Sequence, residues 1–552
     1  MKALLLIVAG AAVSAHAQPT IIARTNTVYP TLPPGTLLWA PFSDRSVHES
    51  GTVTFLCQLA GTSTRALVMI DPSGPRLLAR AGDPAPGGLP GQVICQFISA
   101  QAIAGGASVL ATVSDANGSC AQLTTAHLRF FATAAPQSIA TVGQPLFGVQ
   151  NTTVTQLAAT RNHTESAAWV VTASTPSGAT PSLWAGPPER PSRVATAGEP
   201  APGLPGHTFA GFTANSLALS RTGHIAFRAM TSDAAAGIWA SRPSGLSLLS
   251  STPVPSPAHP GRLVHLGFST SINTSGQVAI DGLLELPEGA GLARGLWLFS
   301  GGSLLPVAIT GEPAPGTEGT FCSFGGNGPP DLFDLNEVGE VAFLSGICAR
   351  SVDDVGLWAG IPGSLRLIAR SGAPIPTLPP GSHFTGLDPN FAINARGQVA
   401  FTATFIHVAQ SPARGIFIAD RGRDPVLVVK TGDTLPGSTD TIAAFLVGSP
   451  YWSGGQDGRP TLFSDSGRLI FAAITLPSLD EVILRADIPD PCYANCDASF
   501  LPPFLTANDL LCFINRFASA DPRANCDGST TTPILTANDF ACFLNAFAAG
   551  CP

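Results

Sequence analysis

Residues 394–401 read Asn-Ala-Arg-Gly-Gln-Val-Ala-Phe, and this stretch recurs along the chain. Close copies occupy residues 273–280 and 336–343, and looser copies occupy residues 220–227 and 464–471. Asn and Gly tolerate the left-handed backbone of a tight turn, and the β-branched and aromatic residues that follow suit a strand. The stretch therefore predicts a turn leading into a strand, in repeated units that bury their apolar sides against one another.

Each repeat contains further pieces in a fixed order. The motif strand is followed by a Gly-Leu-Trp-like strand, by an apolar strand ending in a Pro-rich loop, and by a variable apolar segment such as residues 209–212. The aromatic residue of the second piece recurs at Trp184, Trp239, Trp297, Trp358 and Phe417.

A spacing of about 58 residues exceeds a solenoid coil of roughly 20–45 residues and is close to a propeller blade. Degenerate copies bring each piece to eight. We therefore predict an all-β, eight-bladed β-propeller over residues 18–488, in which the motif strand is the first strand of each blade.

The two ends of this array look like halves of one blade. Residues 21–25 resemble a third strand such as residues 367–371, and residues 482–485 occupy the place of a second strand. We expect these segments to pair and close the ring, which removes exposed sheet edges. The alternative is a row of separate β-sandwiches, each of which would need roughly 100 residues.

Composition limits the classes of function. Only 12% of the 552 residues are charged, the formal net charge is −8, and no run of Lys and Arg appears. A nucleic-acid-binding surface would show a basic patch, so we expect no nucleic-acid partner.

The N-terminus, residues 1–17, predicts a secretion signal. Lys2 supplies the positive charge, residues 4–13 form a short apolar core, and Ala15-His16-Ala17 fits a cleavage site. The alternative is a buried first helix. No segment is long enough for a membrane span. We expect a secreted or cell-surface protein in an oxidising compartment, where its cysteines can pair.

Cysteines in the array support the repeat. Cys95 and Cys120 occupy the same two places in one repeat as Cys322 and Cys348 in a later one. This correspondence predicts the disulfides Cys95–Cys120 and Cys322–Cys348, each of which closes a loop. Cys57 is left over and is expected to be a buried thiol.

The composition changes in residues 489–552, which hold six cysteines. Residues 495–499 and 525–529 read Asn-Cys-Asp-Ala/Gly-Ser, and each leads to Thr-Ala-Asn-Asp, a capping-box variant that starts a helix. Alternating oxygen-bearing side chains before an acidic helix start are what a Ca²⁺ loop needs. The sequence predicts a small, disulfide-rich α-helical domain of two loop-helix copies.

This C-terminal domain resembles the cysteine-containing, GC-type dockerin modules of secreted, planctomycete-like bacterial proteins. The resemblance implies paired calcium loops and docking to a cohesin-like or cell-envelope partner. By match to that pattern, the implied metal ligands are Asn495, Asp497, Ser499, Asp509, Asn525, Asp527, Ser529 and Asp539.

The loops depart from the usual pattern, because they are longer than the 12-residue calcium loop. The alternative is a disulfide-stapled helical pair whose aspartates only cap helices. We expect the bridges Cys496–Cys512 and Cys526–Cys542 within the copies and Cys492–Cys551 around them, although six cysteines allow fifteen connectivities.

The array is also similar to secreted bacterial tandem-repeat proteins with the Asn-x-x-Gly-x-Val-Ala-Phe motif, which have no generally assigned chemistry. No zinc-protease, phosphate-loop, dinucleotide or nucleophile-elbow motif is present in the sequence.

One candidate binding site is positional. The carboxylates that follow the Gly of the Pro-rich loop should share one rim of the ring, where they could bind a cation or sugar hydroxyls or act as an acid/base pair. These residues are Asp83, Glu199, Glu312 and Asp433. The alternative is solvated loop carboxylates, because Gln144 and Ala373 occupy equivalent positions.

Two classes of function remain from the sequence. The first is a non-catalytic binding or scaffold protein, docked through the C-terminal module and with a glycan as a candidate ligand. The alternative is an extracellular glycan-active hydrolase of a polysaccharide-degrading system. Only three Tyr and seven Trp are present, and most Trp fall at repeat positions expected in blade cores, which favours binding.

Overall fold

The computed structural model describes most of the chain, and the predicted signal at residues 1–17 lies outside the described residues. The described ranges are residues 19–162, 166–176, 178–242, 245–287, 291–324, 333–348, 354–407, 411–421, 423–446, 452–455, 458–488, 493–496, 505–521, 524–527, 529 and 533–550. Within these ranges, no helix has the length and apolar character that crossing a membrane requires.

Eight antiparallel sheets of four or five strands form an eight-bladed β-propeller, as the sequence predicts, and not a row of sandwiches. The chain begins with β1 (Thr20–Arg24), which belongs to the last blade. Blades 1 to 3 consist of β2 (Leu38–Val47), β3 (Val53–Leu59), β4 (Arg65–Asp71), β5 (Gly74–Arg80), β6 (Ile94–Ile103), β7 (Gly106–Val113), β8 (Thr124–Phe131), β9 (Gln137–Thr141), β10 (Thr153–Asn162), β11 (Ala167–Thr175), β12 (Gly178–Gly186) and β13 (Ser192–Thr196).

Blades 4 to 6 consist of β14 (Phe209–Phe212), β15 (Ala218–Leu219), β16 (Ile225–Thr231), β17 (Ala236–Arg242), β18 (Gly245–Thr252), β19 (Val254–Pro255), β20 (Leu263–Ile272), β21 (Val278–Glu285), β22 (Leu292–Ser300), β23 (Ser303–Ile309), β24 (Thr320–Phe324), β25 (Phe333–Leu335), β26 (Val341–Cys348), β27 (Val355–Ile361) and β28 (Ser364–Arg370). Blades 7 and 8 consist of β29 (His383–Ile393), β30 (Val399–Ile406), β31 (Ala413–Ala419), β32 (Val426–Lys430), β33 (Thr441–Phe445), β34 (Arg468–Leu476) and β35 (Glu481–Asp487). Short 3₁₀ turns lie at Leu146–Gly148 and Ala214–Ser216.

The motif strand is the second strand of each blade, which corrects the prediction that it is the first. In blade 7, for example, the order is β29-β30-β31-β32, so the variable segment before the motif is the first strand. The motif is a tight turn, and a tight turn can join only strands that pair with each other. The long Pro-rich loop therefore makes the crossing from one blade to the next.

Ring closure follows the prediction. The N-terminal β1 pairs antiparallel with β35 and becomes the outer strand of blade 8, in the order β1-β35-β34-β33. Ala23 of β1 is fully buried in the core shared by blades 7, 8 and 1. The Arg24 side chain forms ion pairs with Asp440 and, at 2.7 Å, with Asp480. Both ends of the chain thus build one blade.

The motif asparagine has a different role from the one predicted. Gly397 takes the left-handed backbone, with a φ of 75°, whereas Asn394 does not. The Asn394 Oδ1 accepts hydrogen bonds from the amides of Arg396 and Gln398, each at 3.1 Å. Its Nδ2 donates to the Ser464 carbonyl of blade 8 at 3.3 Å. The side-chain amide therefore holds its own turn and links two blades.

The same link recurs around half of the ring. The Nδ2 atom of Asn273 donates to the Asn336 carbonyl at 3.1 Å, and that of Asn336 donates to the Asn394 carbonyl at 3.2 Å. All three asparagine residues are fully buried. A donor–acceptor chain thus joins blades 5, 6, 7 and 8 next to the axis.

Blade cores lie between neighbouring sheets and are built on an aromatic pair. In blade 6, Phe343 on the second strand stacks on Trp358 on the third, with ring centroids 5.9 Å apart and an angle of 16°. Phe227 and Trp239 repeat this arrangement in blade 4. The Trp239 indole N–H also donates to the Pro202 carbonyl at 2.9 Å, which anchors the Pro-rich loop.

A glycine lies two residues before each of these tryptophans, because the indole ring packs against the glycine backbone. A Cβ on Gly237 would meet Trp239 Cη2 at 2.7 Å, and a Cβ on Gly295 would meet Trp297 Cη2 at 2.7 Å. The Gly-Leu-Trp pattern is therefore a packing requirement.

The described residues form four disulfides, and all four join cysteines that the sequence predicts to pair. They are Cys95–Cys120, Cys322–Cys348, Cys496–Cys512 and Cys526–Cys542. Cys57 is a buried free thiol, as expected. Cys492 and Cys551 lie outside the described residues, so their pairing stays a prediction.

The C-terminal domain contains two helices, α1 (Ala507–Ala518) and α2 (Ala537–Ala549). Each begins with a capping box, formed by Thr506 with Asp509 and by Thr536 with Asp539. The rings of Phe513 and Phe543 stack with centroids 4.2 Å apart. Equivalent positions of the two copies thus meet in one small core.

Deleting residues 19–24 tests ring closure. The deletion leaves the edge of β35 unpaired and removes the buried Ala23, so we expect the midpoint of thermal unfolding to fall by about 5 °C or more. A synthetic peptide of residues 19–28, added in trans, should restore part of this loss, while a scrambled peptide should not. A deletion variant that melts like the parent protein would show that β1 does not close the ring.

Gly237→Ala tests the packing of the aromatic pair. The added methyl group must displace the Trp239 ring, so we expect a loss of about 1–3 kcal/mol in the free energy of unfolding, measured by chemical denaturation. Gly211→Ala, in the same blade, places its methyl group in open space and is the control. Equal stability of the two variants would contradict the packing argument.

Candidate functional site

The two ends of the blades differ in chemistry. We call the end with the motif turns, such as residues 394–398, the turn face. The opposite end, with the Pro-rich loops such as residues 81–87, is the loop face. Both array disulfides lie at the loop face, because they join the start of a first strand to the end of a second strand or to the loop after it.

The four predicted rim carboxylates lie at the loop face, just after the outer strands of their blades, and are 34–40% exposed. Three of them accept a hydrogen bond from the backbone amide three residues earlier. These contacts are Asp83 with Arg80 at 2.8 Å, Glu199 with Thr196 at 2.9 Å and Asp433 with Lys430 at 2.9 Å.

Glu312 instead contacts His259 Nε2 at 2.9 Å. Within the described part of the chain, no hydrogen bond or ion pair joins any two of the four carboxylates. Each one has a local hydrogen-bond or ion-pair partner, and a shared binding site for the four carboxylates stays a prediction.

The turn face is closed at the axis by an ion cluster. Arg221 from blade 4 contacts Asp465 from blade 8 at 2.9 Å and Glu49 from blade 1 at 3.1 Å. Glu337 from blade 6 lies 3.9 Å from Arg221. Blades 4 and 8 are opposite each other in a ring of eight, so this contact spans the axis.

Burial and ion pairing shift the pKa values of the cluster carboxylates in opposite directions. Burial raises the pKa of Asp465 to about 6, although Arg221 opposes the shift. The pKa of Glu49 is instead lowered, because Arg221 and the amides of Asp465 and Ser466 outweigh its burial. The cluster is a fixed plug rather than an open binding site.

The channel next to this plug is also filled. Asp334 Oδ2 accepts hydrogen bonds from the amides of Ile393 at 3.0 Å and Gly454 at 2.8 Å. Gly454 belongs to residues 452–455, which lie between β33 and β34. Asp334 therefore joins blades 6, 7 and 8 beside the ion cluster, where the Gly454 carbonyl also accepts a hydrogen bond from Arg221 at 3.4 Å.

Near the loop face, the first strand of blade 1 is irregular. The register of β2 against β3 shifts between Trp39 and Ser43 and again between Ser43 and Ser46. Asp44, inside this bulged segment, has a φ of 48°, which a non-glycine residue rarely adopts. Bulges and strained backbone concentrate at functional sites.

Charges surround Asp44. Burial raises the pKa of its carboxyl, opposed by Ser43, Arg65 and Arg45. The Arg65 guanidinium donates to Ser43 Oγ at 3.2 Å and to the Phe97 carbonyl of blade 2 at 3.1 Å. Arg45 is buried and donates to the Phe42 carbonyl at 2.8 Å.

Blade 7 repeats this pairing of a bulge aspartate with an arginine. Asp388 lies in the bulged part of β29, and its carboxylate contacts Arg414 at 2.8 Å. Arg65 and Arg414 both stand directly before the third-strand motif of their blades. The sequence patterns did not predict a role for Asp44, Asp388 or the two arginines. Arg414, directly before the third-strand motif Gly-Ile-Phe, is the sequence feature that could have identified these residues.

The most suggestive Ser–His contact in the structure is not a catalytic pair. His127 Nδ1 accepts from the Trp169 indole N–H at 2.9 Å, so the ring proton is on Nε2 and points to Ser108 Oγ, 2.6 Å away. Burial lowers the pKa of His127 to about 3. The imidazole therefore donates to the serine and cannot take its proton.

The second C-terminal loop, residues 525–529, contains candidate calcium ligands that the structure describes. Asn525 Oδ1 is buried and has no hydrogen-bond partner among the described residues, which leaves an acceptor oxygen for a cation. Asp539 is fully buried, and its Oδ1 accepts from the Asp527 amide at 3.1 Å. Asp527 Oδ1 accepts from the Ser529 amide at 2.9 Å.

The pKa of Asp539 is lowered, because hydrogen bonds from the Thr536 and Asp527 amides outweigh its burial. Within the described ranges no group of three or more His, Cys, Asp or Glu is arranged for a metal, so amide and hydroxyl oxygens would have to complete a site. Carboxylate, amide and hydroxyl oxygens are the ligand types that a hard cation takes, so calcium in this loop stays a prediction. Of the first loop, Asp497 and Ser499 lie outside the described residues, while Asn495 and the buried Asp509 are described.

Solved propellers resemble this chain in outline only. An oligogalacturonate lyase from Vibrio parahaemolyticus is 10% identical over 82% of this chain and 99% of its own, with a TM-score of 0.35. The β-propeller domain of the Trilobed protease from Pyrococcus furiosus is 9% identical over 72% and 99%, with a TM-score of 0.32. An ulvan lyase is 10% identical over 86% and 95%, with a TM-score of 0.27. At these values the similarity carries no argument about activity.

No curated protein matches the sequence. The DUF7453 family, a family of unknown function, matches twice, at residues 103–297 and 235–475. The two matches overlap and together cover more than half of the chain, across blades 2 to 8. The chain therefore belongs to the DUF7453 family.

Proposed function

We propose that this protein is an extracellular, non-catalytic binding propeller that is held to a partner by its dockerin-like C-terminal domain. The domain boundaries are residues 18–488 for the propeller and 489–552 for the anchoring domain. The partner is a cohesin-like or cell-envelope protein. Four disulfides among the described residues fit an oxidising, extracellular compartment.

The observation that carries this proposal is the pair of apolar positions on the C-terminal helices. Ile514 on α1 and Leu544 on α2 occupy equivalent positions of the two copies and are 40% and 42% exposed. Leu511 and Phe540 extend the exposed apolar surface. Apolar side chains left in solvent on a small, stapled domain are typical of a surface that a partner covers.

Calcium would organise the loops that lead into these helices. In the second loop, Asn525, Asp527, Ser529 and Asp539 would hold the ion, and it would neutralise the carboxylates that the loop collects. Bound calcium would supply rigidity to the loop and no reaction chemistry.

The propeller itself supports binding rather than catalysis. The loop-face carboxylates hold local contacts, and His127 is in the wrong tautomer to activate Ser108. Asp388 is neutralised by Arg414. None of these groups is arranged as an acid/base pair, while the open loop face leaves room for a ligand.

Calcium binding is tested on the full chain by isothermal titration calorimetry. The Asn525→Ala/Asp527→Ala double variant should bind one calcium ion fewer than the parent protein, because it loses two of the ligands of the second loop. Asn545→Ala, on the exposed side of α2, is the control and should keep the parent stoichiometry. The same calcium stoichiometry in the double variant, or no calcium heat in the parent, would end the metal proposal.

Docking is tested by capture of the full chain on an isolated cell-envelope fraction. The Ile514→Asp/Leu544→Asp double variant should lose about tenfold or more of its affinity, because a charge replaces the apolar contact in both copies. Leu305→Asp, which changes a 37%-exposed residue on β23 of the propeller, is the control and should be captured like the parent. Unchanged capture of the double variant would contradict docking through the helices.

A further inference from the structure

Trp39 departs from the other tryptophans of the chain. The six others are buried, and four of them are among the largest fully buried side chains of the blades. Trp39 is 45% exposed and lies at the start of β2, the first strand of blade 1. An indole that is almost half exposed is suited to contact a ligand.

Polar side chains stand in register beside this indole. Trp39 pairs with Gln58 on β3, and Gln58 pairs with Arg65 on β4. Side chains of directly opposed residues lie on the same face of a sheet, with Cβ atoms about 4.5–5.5 Å apart. Ser43, the residue before Asp44, accepts a hydrogen bond from the Arg65 guanidinium at 3.2 Å, so the bulged segment with Asp44 lies beside this row.

The neighbouring blade contacts this row through Arg65. Arg65 Nη1 donates to the Phe97 carbonyl of β6 at 3.1 Å. Trp39, Gln58 and the Ser43–Asp44 bulge thus form one small surface near the loop face, which we call the blade-1 site. It combines one aromatic platform with a few hydrogen-bonding groups, as small-molecule sites do.

We propose that the blade-1 site binds a neutral oligosaccharide. One sugar ring stacks its apolar C–H face on Trp39, and its hydroxyl groups form hydrogen bonds with Gln58 and the Asp44 carboxyl. This inference rests on the proposed binding function and names the ligand class for it.

The charges of the site favour a neutral ligand over an acidic one. Both terminal nitrogens of Arg65 donate within the protein, to Ser43 and Phe97, and these hydrogen bonds hold the guanidinium in place. Asp44 presents a carboxyl group, and the chain carries a net charge of −8. A polyanionic glycan would be repelled by this charge.

The backbone of β2 supports the same assignment. The register shifts of β2 and the left-handed φ of Asp44 re-aim side chains that a regular strand would alternate between its two faces. Strain of this kind persists where the surrounding structure holds it for a purpose. Trp39 lies near the loop face, at the end of the blades opposite the ion cluster.

The test is titration of the full chain with cellohexaose, laminarihexaose, xylohexaose and mannohexaose, followed by tryptophan fluorescence and calorimetry. We expect at least one of these neutral hexasaccharides to bind, and Trp39→Ala to weaken that affinity by about tenfold or more. Trp39→Phe keeps an aromatic platform and should restore most of the affinity. Leu305→Ala, on another blade, should bind like the parent.

Three results would overturn the proposal. The first is that none of the four neutral sugars binds. The second is that Trp39→Ala and the parent protein bind the sugar with equal affinity. The third is that tetragalacturonate, and not the neutral sugars, binds in a way that depends on Trp39. The Ile514→Asp/Leu544→Asp variant, which loses docking, should keep full sugar affinity. Failure of the sugar site and failure of the docking proposal are therefore separable.

Discussion

The hydrogen bonds from the motif asparagines are the constraint on which the ring depends. A blade is a twisted sheet with two apolar faces, and it is stable only between two neighbours. The buried amides of Asn273, Asn336 and Asn394 each satisfy their own turn and reach the carbonyl of the next blade. One side chain thus sets both the shape of the turn and the distance between adjacent blades at the axis. Because a buried polar group without a partner is costly, the turn and the blade contact form together.

The charged side chains at the axis also come from these turns. The second motif position supplies Glu49, Arg221, Glu337 and Asp465, which point to the centre from four blades. Opposite charges meet there, and the ring is closed at the turn face. A buried ion cluster of this kind penalises any ring in which the blades are shifted, because a shift would leave a charge unpaired.

The residues that we propose to act in binding lie in the parts of the chain that depart from the repeat. Asp44 and Asp388 lie in bulges of first strands, Trp39 lies where other blades have no exposed ring, and the C-terminal helices follow the last blade. The repeat builds a scaffold whose cores are alike, while the variable first strands differ from blade to blade. This division explains why the carboxylates that recur in the Pro-rich loops have local contacts, whereas the unusual residues of β2 surround an exposed site.

The amino-acid sequence by itself determined the eight repeats, the pairing of the two chain ends in one blade, the paired cysteines and the two capped helices. All of these are local or periodic signals: spacing, turn chemistry and equivalent positions of cysteines. The tertiary structure alone decided that the motif strand is second in its blade, that Asn394 links blades and that Arg221 meets Asp465 across the ring. It also decided that Trp39, unlike Trp239, is exposed. The physical reason is that these properties depend on which distant residues become neighbours, and a repeat period specifies the units without specifying what each unit places at the axis.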